Sequence, residues 1–447
     1  TRRISKLMPE PASLAEWLEA LESRHPKSID LGLDRVAKVW ARMGSPLPAE
    51  RIFTVAGTNG KGSTVAYISA MVQALGYRCG TYTSPHLVEY NERVQILGQK
   101  SSDRELVSAF ERVDKACGEI SLTYFEFGTL AAFSLMSQEN LDYAVLEVGL
   151  GGRLDAVNIL DADCAVLTPV GLDHQEYLGD NREQIGKEKA GIFRQGGAVI
   201  CGDPHPPQSV LRTARDLGCA VWRLGQEFQI AEEGDGLYWC MNEECLDLPR
   251  PPMPGPHQHN NLATAVAAVV CLLPEALKEP ALLAQGISSV KLPGRLHSAL
   301  HCPRVWLDVG HNAHAASAVA SALQHLQLKP RYCVLGMLKD KDALAVVKEL
   351  DPQVDTWCCA GLEGDRGRSG SNLAEIVRKQ CDESRVKVFP SVIAALEYAL
   401  NATGPGKKTG PDHEGSSDDS ILVFGSFVTV GQALAGLSAR NSPARKT

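Results

Sequence analysis

Residues 51–63 read RIFTVAGTNGKGS. The first six, Arg51–Ala56, form a short apolar run of the kind found in a strand buried on both faces. From Gly62 onward Val65, Ile68, Met71, Val72 and Leu75 recur at helical spacing, and Gly76 stops the run. Strand, glycine-rich turn and helix together describe a phosphate-binding loop. The glycines of Gly57-Thr58-Asn59-Gly60-Lys61-Gly62-Ser63 let backbone N–H groups approach phosphate oxygens, and the helix N-terminus adds partial positive charge. Lys61 can neutralise the β- and γ-phosphates, and the Ser63 hydroxyl can face Mg²⁺. The spacing GxxGKGS differs from the usual GxxxxGK[ST], so the assignment rests on the loop's place after a strand. The competing reading is a plain glycine-rich turn.

The same rhythm continues outward. Strands read at Tyr143–Val148, Cys164–Pro169 and Ala198–Cys201, with helical stretches between them. This pattern predicts a parallel sheet covered on both faces. Residues 226–256 break it, with Gly234-Asp235-Gly236, Tyr238, Trp239 and a proline cluster, and read as a small β excursion followed by a connection. A helix is expected over Asn261–Leu273. Strands then recur at Val305–Val309, Tyr332–Gly336, Thr356–Ala360, Val386–Phe389 and Ile421–Phe424, alternating with helices near 313–328, 341–350, 371–382 and 391–401. The expected class is α/β: a P-loop ATPase domain with a parallel-rich sheet over 1–292, and a smaller Rossmann-like C-terminal domain over 293–447. Thr403–Ser420 reads as a mobile surface loop and Ser438–Thr447 as a similar tail.

With 447 residues, the chain has room for two or three domains at roughly 150 residues each. Lys+Arg 45 against Asp+Glu 53 leaves a net charge of −8, which disfavours non-specific nucleic-acid binding. No apolar run reaches the roughly 18 residues of a membrane span, and no secretory h-region follows the basic start. A soluble cytoplasmic protein is expected. The thirteen cysteines include no CxxC pair, and Cys240 and Cys245 are spaced wrongly for a zinc knuckle. They read as small, reduced, buried hydrophobes.

Several polar residues sit at strand ends, where parallel sheets bind ligands. Glu147 ends an apolar strand and reads either as a solvent-facing carboxylate or as a ligand. Asp173-His174 follows the next strand at the equivalent place. A carboxylate, an imidazole and the loop hydroxyl could hold a divalent metal with ATP, although Mg²⁺ prefers oxygen. Lys187-Glu188-Lys189 alone reads as a solvated helix face. Asp308, His311 and Arg295, taken singly, read as a cap, a surface histidine and a linker arginine.

Taken together, TVAGTNGKGST, TYTSPHL, LEVGLGGRLDAVNI, GLDH, REQIGKEKAGIF, LPGR and DVGHNAHA resemble the folylpolyglutamate synthase/dihydrofolate synthase family of the Mur-ligase superfamily. The resemblance runs from about Leu14 to Gly436. SIDLGLDRV and LTYFEFGTLAA resemble the bifunctional bacterial members in particular. The resemblance implies ATP-dependent ligation of L-glutamate to dihydropteroate and to reduced folates through an acyl phosphate.

Residue by residue, the resemblance implies that Gly57, Thr58, Asn59, Gly60, Lys61, Gly62, Ser63 and Thr64 hold ATP phosphates, and that Asn261, Arg295, Asp308 and His311 surround the rest of the nucleotide. Ser63, Ser84 and Glu147 would ligate one Mg²⁺ and His174 a second. Lys189 matches a lysine that is carbamylated in the family, and Lys61, Lys189 and His174 would carry catalysis. Thr123, Phe125, Asp155 and Ala156 match the pterin-binding region. Ser426 lies where the substrate glutamate could approach. The family usually has Ala where Gly310 stands and often Pro where Ala313 stands.

Two other classes compete. A peptidoglycan-precursor ligase carries an additional N-terminal domain, whereas 56 residues precede Gly57 here. A nucleotide switch needs a P-loop but not Glu147, His174 and Lys189 together. Within the family, a polyglutamate synthase lacking dihydrofolate synthase activity is the alternative. A monomer is expected, because the second domain supplies the other wall of the cleft.

Overall fold

The computed structural model describes residues 11–27, 29–301, 304–403 and 420–441. An eight-stranded sheet comprises β1 (Arg51–Ala56), β2 (Cys79–Tyr82), β3 (Val94–Ile96), β4 (Gln99–Lys100), β5 (Tyr143–Glu147), β6 (Cys164–Leu167), β7 (Ala198–Cys201) and β8 (Ala220–Arg223). Its order is β4-β3-β2-β5-β1-β6-β7-β8, parallel from β2 to β8, with β3 and β4 antiparallel at one edge. β1 therefore lies inside the sheet, and its apolar run has cover on both sides. Alternation sends Phe53 and Val55 against the helices Lys61–Ala74 and Pro256–Leu272, and Ile52 against the N-terminal helices on the other face.

The excursion folds as an antiparallel sheet of β9 (Phe228–Glu233), β10 (Gly236–Met241) and β11 (Glu244–Leu248). Its buried Trp239 donates Nε1–H to the carbonyl of Ala263, fixing the sheet to the helix Pro256–Leu272. That helix starts earlier than the pattern suggests, at Pro256. Proline is well placed at the first helical position, and Gly255 at φ +109 turns the chain into it. The structure also corrects the reading of every cysteine as reduced. Cys240 and Cys245 face each other across the β10–β11 register with Cα atoms 4.2 Å apart, and they form a disulfide. A tight hairpin joins residues whose spacing would not suit a metal knuckle.

The second sheet holds β12 (His297–His301), β13 (Arg304–Asp308), β14 (Tyr332–Leu335), β15 (Thr356–Ala360), β16 (Val386–Phe389) and β17 (Ser420–Phe424), in the order β12-β13-β17-β14-β15-β16. All but β12 run parallel. Helices Ala313–His325, Ala343–Leu350 and Gly370–Val377 cover one face, and Val392–Thr403 and Phe427–Asn441 the other. This is a doubly wound arrangement. β12 is an added antiparallel edge that its half-exposed residues conceal from an apolar-run reading. The expected loop at 403–420 lies, apart from its two ends, outside the described residues. The expected tail is corrected in part: Ser438–Asn441 continue the last helix, and 442–447 lie outside the described residues. Among the described residues, no helix is long and apolar enough to cross a membrane.

Candidate active site

The C-terminal ends of the central strands open into one cleft of about 590 Å³ between the two sheets. Gly57–Ser63, Ser84, Glu147, His174 and Lys189 line it from the first sheet, and Asn261, Arg295, Asp308 and His311 complete it. Thr64, Thr123, Phe125, Asp155 and Ala156 are not among the lining residues.

The glycine-rich loop Gly57–Ser63 is held by close packing. A Cβ at Gly57 would meet Thr168 Oγ1 at 1.8 Å, and one at Gly60 would meet Asn261 Oδ1 at 2.4 Å. Gly60 also adopts φ +87, a region costly for residues with a Cβ. Thr58 Oγ1 exchanges hydrogen bonds with Gly171. Lys61 folds back onto its own loop, donating to the Gly57 and Thr58 carbonyls at 3.1 and 3.3 Å. The Ser63 and Thr64 hydroxyls are buried without a hydrogen-bond partner.

Glu147, at the end of β5, is 5% exposed. Burial raises its pKa, against the opposing charges of Lys61 and Arg295. Its one hydrogen bond is long: Ser84 N–H donates to it at 3.4 Å. Lys189 is equally buried, and its Nζ donates to the Gly57 carbonyl at 2.8 Å. Burial and the neighbouring Lys61 lower its pKa to about 7. A helix-face lysine that looks solvated by charge pattern is thus enclosed, because the helix Arg182–Lys189 ends against the loop.

Asp308, ending β13, accepts N–H bonds from Leu296 and Gly310 at 2.8 and 2.7 Å. Arg295 lies over the Phe427 ring, 5.4 Å from its centre. His311 donates Nδ1–H to Val309 O and turns Nε2 toward Asp173 Oδ2, 3.3 Å away. Asp173 also receives Asn312 Nδ2–H at 3.2 Å and the Lys341 ammonium at 2.5 Å. Burial would raise its pKa, but the hydrogen bond from His311 and the charges of His311, His174 and Lys341 hold it far below the usual carboxylate range. His174 sits at φ +50, a strained position for a residue with a Cβ. Burial lowers its pKa to about 4.

Lys341, Asn312 and the bridging role of Asp173 are absent from the sequence-derived site. Lys341 follows the C-terminal end of β14, so the strand-end rule that marks Asp308 could have marked it too. Behind the cleft, Thr123 caps the helix Tyr124–Met136 with Glu126 in a reciprocal capping box. Phe125 packs its ring against Gly149. Asp155 accepts N–H from Leu150 and Val157, and burial raises its pKa to about 6. Ala156 opens the buried turn Ala156–Ile159. Ser426 is buried and bonds Thr429 Oγ1 at 2.7 Å within the second domain, one residue before Phe427 of the cleft lining.

Residues 55–269 match the Mur ligase middle domain and 294–427 the Mur ligase glutamate ligase domain. The dihydrofolate synthase/folylpolyglutamate synthase of Escherichia coli K12 is 42% identical over 442 residues, covering 98% of this chain and 99% of its own. The chain belongs to the dihydrofolate synthase/folylpolyglutamate synthase family.

Two solved members of the family align over nearly their whole length. FolC of E. coli in complex with DHPP and ADP superposes with a TM-score of 0.88 at 40% identity, covering 97% of this chain and 100% of that one. The Yersinia pestis bifunctional enzyme with AMPPNP and Mn ion gives 0.85 at 41%, covering 96% and 100%. Against the family pattern, Gly310 has a steric reason here. A methyl group at that position would meet the Phe424 ring at 2.7 Å. Ala313 is the first residue of its helix, where proline is equally tolerated.

A divalent ion is tested by the donors present. Among the described residues, no three His, Cys, Asp or Glu side chains cluster as a metal site. Mg²⁺ does not require such a cage, since it keeps waters and shares substrate phosphates. The unpartnered Ser63 hydroxyl, the nearby Ser84 and the weakly bonded Glu147 are oxygen donors suited to that role.

Proposed function

We propose that this chain ligates L-glutamate, at the expense of ATP, to dihydropteroate and to the glutamate tail of reduced folates. The observation that carries the reading is the cleft. It joins a phosphate-binding loop, oxygen donors for an ion and a buried lysine on one wall to a second doubly wound domain on the other, in a chain alike over nearly its full length to bifunctional relatives.

The substrate carboxylate attacks the γ-phosphorus of ATP, forming acyl phosphate and ADP. The glutamate amine then attacks the acyl carbon, and phosphate leaves with the C–O bond electrons. Carboxylate oxygen is a poor leaving group, and phosphorylation removes that obstacle. The backbone N–H groups of the loop and Lys61 bind and orient the phosphates. Arg295, Asp308 and His311 position the nucleotide from the far wall, and Asn261 does so from the helix Pro256–Leu272 packed on the first sheet. Apposition of the walls keeps water from the acyl phosphate. Ser63, Ser84 and Glu147 would hold one Mg²⁺ and His174 a second, and bound ions would neutralise charge that develops on phosphate oxygens.

Lys189 is carbamylated in this reading. Its neutral amine adds to CO₂ carbon and loses a proton, so a buried cation becomes an anion beside the phosphate site. Its lowered pKa supports this, since the neutral amine is the reactive form. Thr123, Phe125, Asp155 and Ala156 form the pterin side. The domain boundary lies at 292/293, and the enzyme acts as a cytoplasmic monomer.

The test is incorporation of labelled L-glutamate with ATP and Mg²⁺, offering dihydropteroate and a tetrahydrofolate separately. Product with both is expected. Product with the tetrahydrofolate alone makes the chain a polyglutamate synthase and removes Thr123 and Phe125 from the substrate site.

A further inference from the structure

Lys341 stands across the cleft from its own sheet. Its Nζ lies 2.5 Å from Asp173 Oδ1 and 3.3 Å from His174 Nε2, and its side chain is 7% exposed. Asp173 and His174 follow β6 of the first sheet, whereas Lys341 follows β14 of the second. An imidazole nitrogen that faces an ammonium at this distance is an acceptor, its lone pair directed at the cation. The place a metal ion would take on His174 Nε2 is therefore filled by an ammonium. A divalent ion on the same lone pair would clash with Nζ and be repelled by its charge.

The surroundings let Lys341 leave without stranding its partners. Asp173 keeps His311 Nε2 at 3.3 Å and Asn312 Nδ2 at 3.2 Å. Lys341 itself has a second carboxylate, Asp340, 3.7 Å away.

We propose that Lys341 is the resident stand-in for the divalent ion at His174. With the walls apposed as here, its ammonium fills the ion's place, and the ion enters only when Lys341 withdraws from Asp173. The inference rests on the reading that His174 receives a second ion. It makes loading of that ion and the Lys341–Asp173 bridge mutually exclusive.

The test uses the full chain with Mn²⁺ and a non-hydrolysable ATP analogue, counting bound Mn²⁺ by electron paramagnetic resonance. Pulsed measurements report coupling to imidazole nitrogen. In Lys341→Met the second Mn²⁺ should bind about tenfold or more tighter than in the unaltered protein, within the usual range of site-to-site coupling. The nitrogen coupling should appear with it, and His174→Ala should remove it. Lys341→Arg keeps the cation and should bind the second ion no tighter than the unaltered protein. If Lys341→Met does not fold, as judged by its melting profile, Lys341→Gln serves in its place.

Equal second-ion affinity in Lys341→Met and the unaltered protein overturns the proposal, as does equal tightening by Met and Arg. Absence of any His174-dependent nitrogen coupling also overturns it, and with it the second site. Persistence of the Glu147-dependent ion in that case would leave the rest of the functional reading standing.

Discussion

The two walls of the cleft are built to opposite rules. On the wall carried by the first sheet, buried polar groups are short of partners. The Ser63 and Thr64 hydroxyls have none, Glu147 has one N–H at 3.4 Å, and the Lys189 amine has the Gly57 carbonyl. Across the cleft, Asp308 takes two backbone N–H bonds, and Arg295 lies on Phe427. His311, Asn312 and Lys341 converge on Asp173. A buried group left unsatisfied costs roughly 1–3 kcal/mol. The first wall is in this sense unfinished, holding a cost that a bound ligand can relieve, whereas the second is finished where Asp308 takes its two N–H bonds and where His311, Asn312 and Lys341 meet Asp173 of the first.

The largest expected effect tests the unfinished wall. Lys189→Ala should abolish glutamate incorporation while leaving ATP-analogue affinity within a few-fold by calorimetry. Retained ligation would remove Lys189 from the mechanism. On the finished wall, Asp308→Ala should lose activity and stability together, because two buried N–H donors lose their acceptor. A loss of about 2 kcal/mol or more is expected in denaturant unfolding without ligand. An unchanged midpoint would erase the contrast between the walls.

Ser63→Ala sharpens the contrast further. Removing an unpartnered buried hydroxyl should leave the unliganded protein equally stable, or more stable by up to about 1 kcal/mol. The same change should weaken Mn²⁺ binding with nucleotide. A fall in unliganded stability would show that Ser63 has a structural partner.

A subtler expectation concerns pH. Lys189 has its folded pKa near 7 against an ordinary 10.5, so between those values the unfolded chain binds more protons than the folded one. In CO₂-free buffer, stability from this residue should rise with pH from about 7 toward 10.5, and Lys189→Met should flatten that rise. The same slope in Lys189→Met would assign it elsewhere. Smallest in its effect on activity is reduction of Cys240–Cys245, which clasps a hairpin away from the cleft. Thiols should lower stability by about 2 kcal/mol at most for so short a loop, with unchanged turnover.

The unfinished wall is also the more legible one in sequence. A strand, a glycine loop and a helix are contiguous, so Arg51–Ala74 announces its own geometry. Glu147 shows because a carboxylate ending an apolar strand is conspicuous. The finished wall is assembled from distant segments. Lys341 sits among charges in LKDKD, where composition resembles any solvated loop. Only the crossing of two sheets brings it to Asp173. Lys189 was enclosed for the same reason, since a helix face says nothing of what stands opposite. β12 and the early start of the Pro256 helix escape apolar-run reading because one is half exposed and the other begins inside a proline cluster.

Phe125 rests its ring directly on Gly149, and Gly149 lines the cleft. The aromatic pair Phe125 and Tyr82 is thus separated from the cleft by the backbone at Gly149. For inhibitor chemistry, this sets a length scale. A compound that stacks on Phe125 and also reaches the phosphate loop needs only a short tether skirting Gly149. Any resistance substitution that gives Gly149 a side chain would have to displace the ring on which such a compound, and the pterin proposed to bind beside it, depends.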